Sequence, residues 1–142
     1  MQIASLYDIA QQQNIPVLTT PLPHTGSMSV MTDSGACYIG IDPGICDGGV
    51  SERVHLSHEL GHCATGSFYN IYAAVDSRRR HENRADKWAI GRLIPVDALD
   101  DAIARGYTQL WELAEHFGVT EDFVRKAVCY HVHGNLATEL YF

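Results

Sequence analysis

The sequence lacks any run of apolar residues long enough to cross a bilayer, and its first residues carry no charged, apolar and cleavable leader. Both absences set the expectation of a cytoplasmic protein with no membrane association. Positive charge is scarce: ten Lys and Arg stand against 17 Asp and Glu, a net charge of −7. Broad contact with a phosphate backbone needs a basic face, so direct nucleic-acid binding is not expected. No C-x-x-C pair occurs among Cys37, Cys46, Cys63 and Cys129. Without a secretory leader a disulfide framework is not expected either, and the thiols read as free and mostly buried. Internal repeats and low-complexity segments are also missing. What is present is a 142-residue chain, 46% hydrophobic and 19% charged, enough for one folded domain with its own core.

The stretch that carries chemistry is Ser51 to Thr65, S-E-R-V-H-L-S-H-E-L-G-H-C-A-T. Ser51 suits an N-cap, Glu52 suits the positive end of a helix, and Val54, Leu56 and Leu60 give that helix an apolar side. Within it lies H-E-x-x-H: His58, Glu59 and His62. Four residues make just over one turn, so both imidazoles leave one face and can share a metal ion. Glu59 lies about a hundred degrees further round, where it can reach a water beside the metal without becoming a ligand. The plainer alternative is a polar helix face that happens to carry two histidines. Gly61 argues against it, because mid-helix glycine costs about 1 kcal/mol relative to alanine and needs a reason, close approach of another backbone or of a substrate. Cys63 points away from His62 and is not expected to be a ligand.

Upstream, Ile3, Leu6, Ile9 and Ala10 recur at helical spacing and predict a helix over 2–13 ended by Asn14. Pro16 to Pro23 reads as an extended connector. Ser29 to Thr32 and Ala36 to Ile41 read as strands around an Asp33-Ser34-Gly35 turn. Asp42-Pro43-Gly44 and Asp47-Gly48-Gly49 mark the loop into the metal helix. A strand edge beside such a helix is a place where an extended peptide can add as one more strand. Ser67 to Val75, with Phe68, Tyr69, Ile71 and Tyr72, has no clear period. Asp76 to Arg80 reads as a solvated turn, with a substrate-facing role for Arg78, Arg79 and Arg80 as the lesser alternative.

His81 to Leu93 predicts a second helix with Ala85, Trp88, Ala89 and Leu93 as its apolar stripe. A catalytic zinc site takes three protein ligands and leaves one position open. Glu82 is the candidate third ligand, and Asp86, one turn on, can accept the free ring N–H of a ligating histidine. Pairing of both acids with nearby arginines is the alternative, and His81 is a weaker rival ligand. From Pro95 three short helices are predicted. Asp97, Thr108 and Thr120 are their expected caps, and Gly106 and Gly118 their stops. L-A-E-H-F-G-V-T-E-D-F-V-R-K-A-V, residues 113–128, resembles a helix-turn-helix. Glu121 and Asp122 would then face phosphate, so a packing or protein-docking unit is the better reading. His131 and His133 read as ordinary polar residues, though one can approach the site. The segment 135–142 either packs back or frays.

H-E-L-G-H at 58–62 together with E-N-R-A-D-K-W-A at 82–89 resembles the ImmA/IrrE family of zinc metallopeptidases, and Leu93 to Tyr130 is similar to the helical C-terminal part of its short members. The resemblance implies an α+β fold: a small zincin-like domain with an N-terminal helix, a short antiparallel sheet, the H-E-x-x-H helix and a glutamate-ligand helix. Residues 1–94 would form this core and 95–142 a helical subdomain packed with it as one unit. It further implies Zn2+ held by His58, His62 and Glu82, with Glu59 as catalytic base. The implied substrate is a protein, an Xre-type helix-turn-helix repressor of a phage or mobile element, whose cleavage releases the genes it silences. Tyr69, Tyr72 and His131 are candidate second donors to the oxyanion. Two other functions remain open: a non-proteolytic module that sequesters a partner protein, and, against the charge balance, a DNA-binding unit. The oligomeric state is not legible in the sequence.

Overall fold

A computed structural model describes residues 1–69 and 73–137. The chain runs α1 (Ile3–Gln12), β1 (Val17–Thr19), β2 (Ser27–Met31), β3 (Cys37–Ile41), α2 (Val50–Thr65), α3 (Val75–Leu93), α4 (Val96–Ala104), α5 (Leu110–Phe117) and α6 (Glu121–His133). This is the expected α+β arrangement, with α2 against α1, the sheet and α3.

The first helix forms because Leu6 and Ala10 share one buried face. It stops where Asn14 turns left-handed, at φ 56°. The hairpin of β2 and β3 is antiparallel, as predicted, with Ser27 opposite Ile41 and Met31 opposite Cys37. The sheet is nevertheless mixed. Val17–Thr19, expected as part of an extended connector, pairs parallel with β3, so the strand order is β1-β3-β2. Along β3 Cys37, Ile39 and Ile41 point inward and Tyr38 outward, the period-2 pattern of a sheet with one covered face.

Several expected boundaries are corrected. The N-cap of α2 is Gly49 rather than Ser51, which lies inside the helix. Asp47 takes the capping role from outside: its Oδ1 accepts from the backbone N–H of Gly49 at 2.8 Å and of Glu52 at 3.3 Å. Glu52 is in the first turn but buried, accepting from Tyr7 Oη at 2.7 Å and Gly48 N at 3.0 Å. It therefore also ties α1 to the helix start. Asp76 to Arg80 is not a turn; it belongs to the first turns of α3, which begins at Val75, six residues before the expected start at His81. Pro95 and Gln109, not Asp97 and Thr108, cap α4 and α5. At Gln109 a reciprocal pair with Glu112 satisfies the helix start. Thr120 caps α6 as predicted, accepting from Phe123 N at 3.1 Å.

The expectation of four free thiols is also corrected. Cys37 on β3 and Cys63 on α2 form a disulfide, with Cα atoms 6.1 Å apart. They are 26 residues apart in sequence, and only the docking of β3 on α2 brings them together. Cys46 is free and exposed, and Cys129 is free and half-buried. Ile71, Tyr72 and the end of the C-terminal segment, 138–142, lie outside the described residues. One buried cluster includes Leu6, Ile39, Leu56, Leu60, Ile90, Leu93, Leu113 and Val124, so it extends from the N-terminal helix into the three short helices. No helix among the described residues is long and apolar enough to cross a membrane.

Candidate metal centre

The site is made where α2 crosses α3. Gly61 permits that crossing: a Cβ there would stand 2.4 Å from the carbonyl oxygen of Ala85 and 2.9 Å from its Cα. The absent side chain lets the two backbones touch, which is the reason its mid-helix position required. His58, three residues before Gly61, and His62, the residue after it, face Glu82 on α3. His58 Nε2 lies 2.8 Å from Glu82 Oε2, His62 Nε2 lies 3.2 Å from Glu82 Oε1, and the two Nε2 atoms are 3.2 Å apart. All three ligand atoms lie within 4.8 Å of one another, a group that can hold a metal ion.

The other ring nitrogens decide what those three atoms are. His58 Nδ1 is 2.8 Å from Asp86 Oδ1. A carboxylate accepts, so Nδ1 carries the proton. His62 Nδ1 is held by the carbonyl oxygen of Ser67, which can only accept. Gly66 makes this possible: in the left-handed conformation, φ 65°, it turns the chain so that Ser67 folds back onto α2. Both imidazoles therefore present bare Nε2 lone pairs to a carboxylate. Three acceptors converging at these distances repel one another unless a cation or a proton stands between them. Asp86 Oδ2 is in turn 3.5 Å from Lys126 Nζ on α6, which links the third of the short helices to the centre.

A proton on Nε2 relieves the same repulsion, and the ring pKa values reflect it. Burial pulls the His58 imidazole down, but hydrogen bonds to the Asp86 and Glu82 carboxylates outweigh it and push the group up to about 10. His62 rises for similar reasons, against its own burial. Burial favours the neutral form of Glu82, yet His58, His62 and Tyr69 hold it well below the usual carboxylate range. Tyr69 Oη donates to Glu82 Oε1 at 2.9 Å. Its phenol is raised to about 12 by burial and by that carboxylate.

Glu59 stays off this cluster. It is 6% exposed, and both its oxygens are taken by hydroxyls of β2: Ser27 Oγ donates to Oε2 and Ser29 Oγ to Oε1, each at 2.8 Å. The centre opens into a cleft of about 1120 Å³ whose walls include β2, α3 and α6. Ser29, Tyr69, Arg78, Arg79, Asp122 and Lys126 are among the residues lining it. Thus the structure brings together His58, His62, Glu82, Asp86 and Glu59. It leaves His131 elsewhere, donating from Nε2 to the carbonyl oxygen of Ile94 at 2.7 Å, at the far end of α3. His81 stacks on Tyr69 rather than joining the three ligand atoms. Ser27, Ser29, Ser67 and Lys126 were not read from the sequence. Only the alternation of Ser27 and Ser29, which places them on one strand face, was available as a signal.

A helix carrying H-E-x-x-H, crossed by a second helix that supplies a glutamate, defines a possible metal centre of the metallopeptidase class. The family comparison agrees: residues 10–128 match the family model Peptidase_M78, the IrrE N-terminal-like domain, and the chain belongs to that family. No curated protein matches it significantly.

Proposed function

We propose that the protein is a zinc-dependent endopeptidase that cuts one specific protein, an Xre-type helix-turn-helix repressor of a phage or mobile element in the cytoplasm, and so releases the genes it silences. The observation that carries the reading is the convergence of three bare acceptor atoms beside a carboxylate that is not one of them. Ligands of a tetrahedral zinc ion at about 2.0–2.1 Å stand roughly 3.3 Å apart, and His58 and His62 already have that spacing from each other. The family supports a peptidase. The repressor follows from the resemblance of the two motif helices to ImmA-type enzymes.

An ion held by His58, His62 and Glu82 would supply Lewis-acid polarisation of the peptide carbonyl and would acidify a water. The rest is done by the chain. Glu59, held by two hydroxyl donors, accepts a proton from water as the water oxygen bonds to the carbonyl carbon. It then returns that proton to the departing amine nitrogen as the C–N bond breaks. Tyr69 leads among the three candidate oxyanion donors, because its hydroxyl lies within hydrogen-bond distance of a ligand oxygen. Asp86 fixes the tautomer and orientation of His58.

The substrate has a built rail. Asp42 N donates to Gly26 O and Thr32 N to Ala36 O, so the even-numbered residues of β2 face β3. Ser27, Ser29 and Met31 turn their main-chain groups to the outer edge, where no strand pairs among the described residues. An extended peptide added there would run along the cleft past Glu59.

The test is incubation with the product of the repressor gene next to its own, followed by mass analysis. Two fragments from the wild type, and none from a Glu59→Gln variant that still binds zinc, support the reading. Persistent cleavage by Glu59→Gln overturns the role of Glu59. Binding of an intact repressor by the wild type, without fragments, favours sequestration instead.

A further inference from the structure

The catalytic role given to Glu59 leaves one buried chain of groups unexplained. Ser27 Oγ, besides donating to Glu59 Oε2, lies 2.7 Å from His55 Nδ1. Ser27 is 7% exposed and Glu59 6%. A hydroxyl has one proton, and the Ser27 hydroxyl gives its own to Glu59 Oε2. Once the Ser27 proton is spent on Glu59, the His55 contact is a hydrogen bond only if His55 Nδ1–H donates to Ser27 Oγ. The distances therefore dictate a direction, His55 Nδ1–H to Ser27 Oγ–H to Glu59 Oε2, together with the His55 tautomer.

Local structure serves this chain. His55 and Glu59 are four residues apart on α2, so both rise on the face that meets β2. Gly26 makes room for the ring: a Cβ there would come within 2.9 Å of His55 Cε1, and its φ of 77° suits glycine. Ser29, two residues along the same strand face, takes the other oxygen of Glu59 at 2.8 Å. With each oxygen fixed by one donor, the carboxylate plane cannot rotate, and one lone pair on each oxygen stays free for water and for the proton in transit.

We propose that Ser27, backed by His55, and Ser29 are positioning residues that set the orientation of Glu59. This rests on Glu59 being the base. It also gives β2 two tasks at once, since the residues whose main chain faces the substrate edge hold the base with their side chains. A peptide seated on that edge would stiffen the strand that orients the carboxylate.

Two measurements decide it. The 15N resonances of the His55 ring in the zinc-loaded wild type report which nitrogen is protonated, with no need for turnover. Protonated Nδ1, moving to the Nε2–H form in Ser27→Ala, is the expected result. A wild-type ring with bare Nδ1 overturns the chain. On the repressor, Ser27→Ala should lower kcat about tenfold with KM within about twofold and zinc content unchanged. Ser27→Thr, which keeps the hydroxyl, should recover most of the loss. Unchanged kcat in both Ser27→Ala and Ser29→Ala overturns the positioning role while leaving Glu59 as base. Continued cleavage by Glu59→Gln instead removes the parent reading, and the ring nitrogens still judge the hydrogen-bond chain.

Discussion

Replacing Gly61 by alanine tests how the site is built, because two effects of opposite sign meet there. On helix propensity alone the substitution stabilises by about 1 kcal/mol. Packing opposes it: the new methyl would lie 2.4 Å from the Ala85 carbonyl oxygen, where ordinary contact begins at 3.4 Å. The helices must part by about 1 Å, since the obstruction is backbone and has no rotamer to change. Overpacking of this kind costs roughly 1–3 kcal/mol, and a main-chain clash belongs at the upper end. The net expectation is a loss of about 1–2 kcal/mol, or a Tm lower by roughly 3–8 °C for a domain of this size. Metal binding should suffer more. His58 and His62 flank Gly61 on one helix, and Glu82 lies less than one turn from Ala85 on the other. Zinc sites tolerate ligand displacements of about 0.2 Å, so a parting of 1 Å should weaken affinity at least about 100-fold. Titration against a chromophoric zinc chelator measures the affinity, and thermal melting of the metal-free protein measures the packing separately. A Gly61→Ala protein that melts higher and binds zinc like the wild type would refute the close-crossing argument.

Four further outcomes are expected. Asp86→Asn should lower zinc affinity about 10–100-fold by weakening the hold on His58 Nδ1, as measured by isothermal titration. Tyr69→Phe should keep zinc but lower kcat on the repressor about 10–100-fold, and unchanged kcat would remove Tyr69 as oxyanion donor. In the metal-free protein His58 is raised from 6.5 to about 10. It is therefore protonated at pH 7, and zinc uptake should release a proton, seen as buffer-dependent heat, with affinity rising as pH climbs towards 10. Being raised, the group also adds stability to the metal-free fold below about pH 6.5, and that contribution fades as pH rises through 10. Finally, alkylation in denaturant without reductant should mark Cys46 and Cys129 alone, and with reductant all four cysteines. In the folded protein Cys46 should react slowly for an exposed thiol, because burial and then the Glu52 charge raise its pKa.

Much of this site was legible because its parts are local. His58, Glu59 and His62 lie within five residues, Glu82 and Asp86 within another five, and helical geometry alone places each set on a face. Gly61 was readable as an anomaly, though not its partner, Ala85. What the sequence hid depends on contacts between distant segments. Val17–Thr19 looks like a connector because a three-residue strand has no room to show a period, and only β3 gives it hydrogen-bond partners. Asp47 displaced Ser51 as the cap because an aspartate two residues before Gly49 reaches further into the first turn than a serine already inside it. Arg78 to Arg80 read as a turn because charge masks helical periodicity when no apolar residue shares the segment. Cys37 and Cys63 carry no mutual signal at all until the sheet is laid on α2.

The same distinction bears on specificity. In the proposed reading His58, His62, Glu82 and Glu59 are a general peptide-cutting apparatus, and nothing in four side chains selects one protein. Selection requires surface contributed from elsewhere, and α6 offers some: its Asp122, Phe123 and Lys126 line the same cleft as Ser27 and Ser29 of β2. Lys126 reaches Asp86 at 3.5 Å and Asp122 at 3.8 Å, so the helix that resembles a recognition helix is turned towards the metal centre and engaged there by charge. The helix thereby commits one of its two Lys/Arg residues, Lys126, to carboxylates and leaves Arg125 exposed. Its first turn, Glu121 and Asp122, is acidic and would repel DNA but attract a basic protein surface. Charge reversal at the exposed Asp122, Asp122→Lys, should therefore lower kcat/KM on the repressor while leaving zinc binding unaltered. If the loss appeared in kcat alone, α6 would be acting on the chemistry through Asp86 and not on substrate choice.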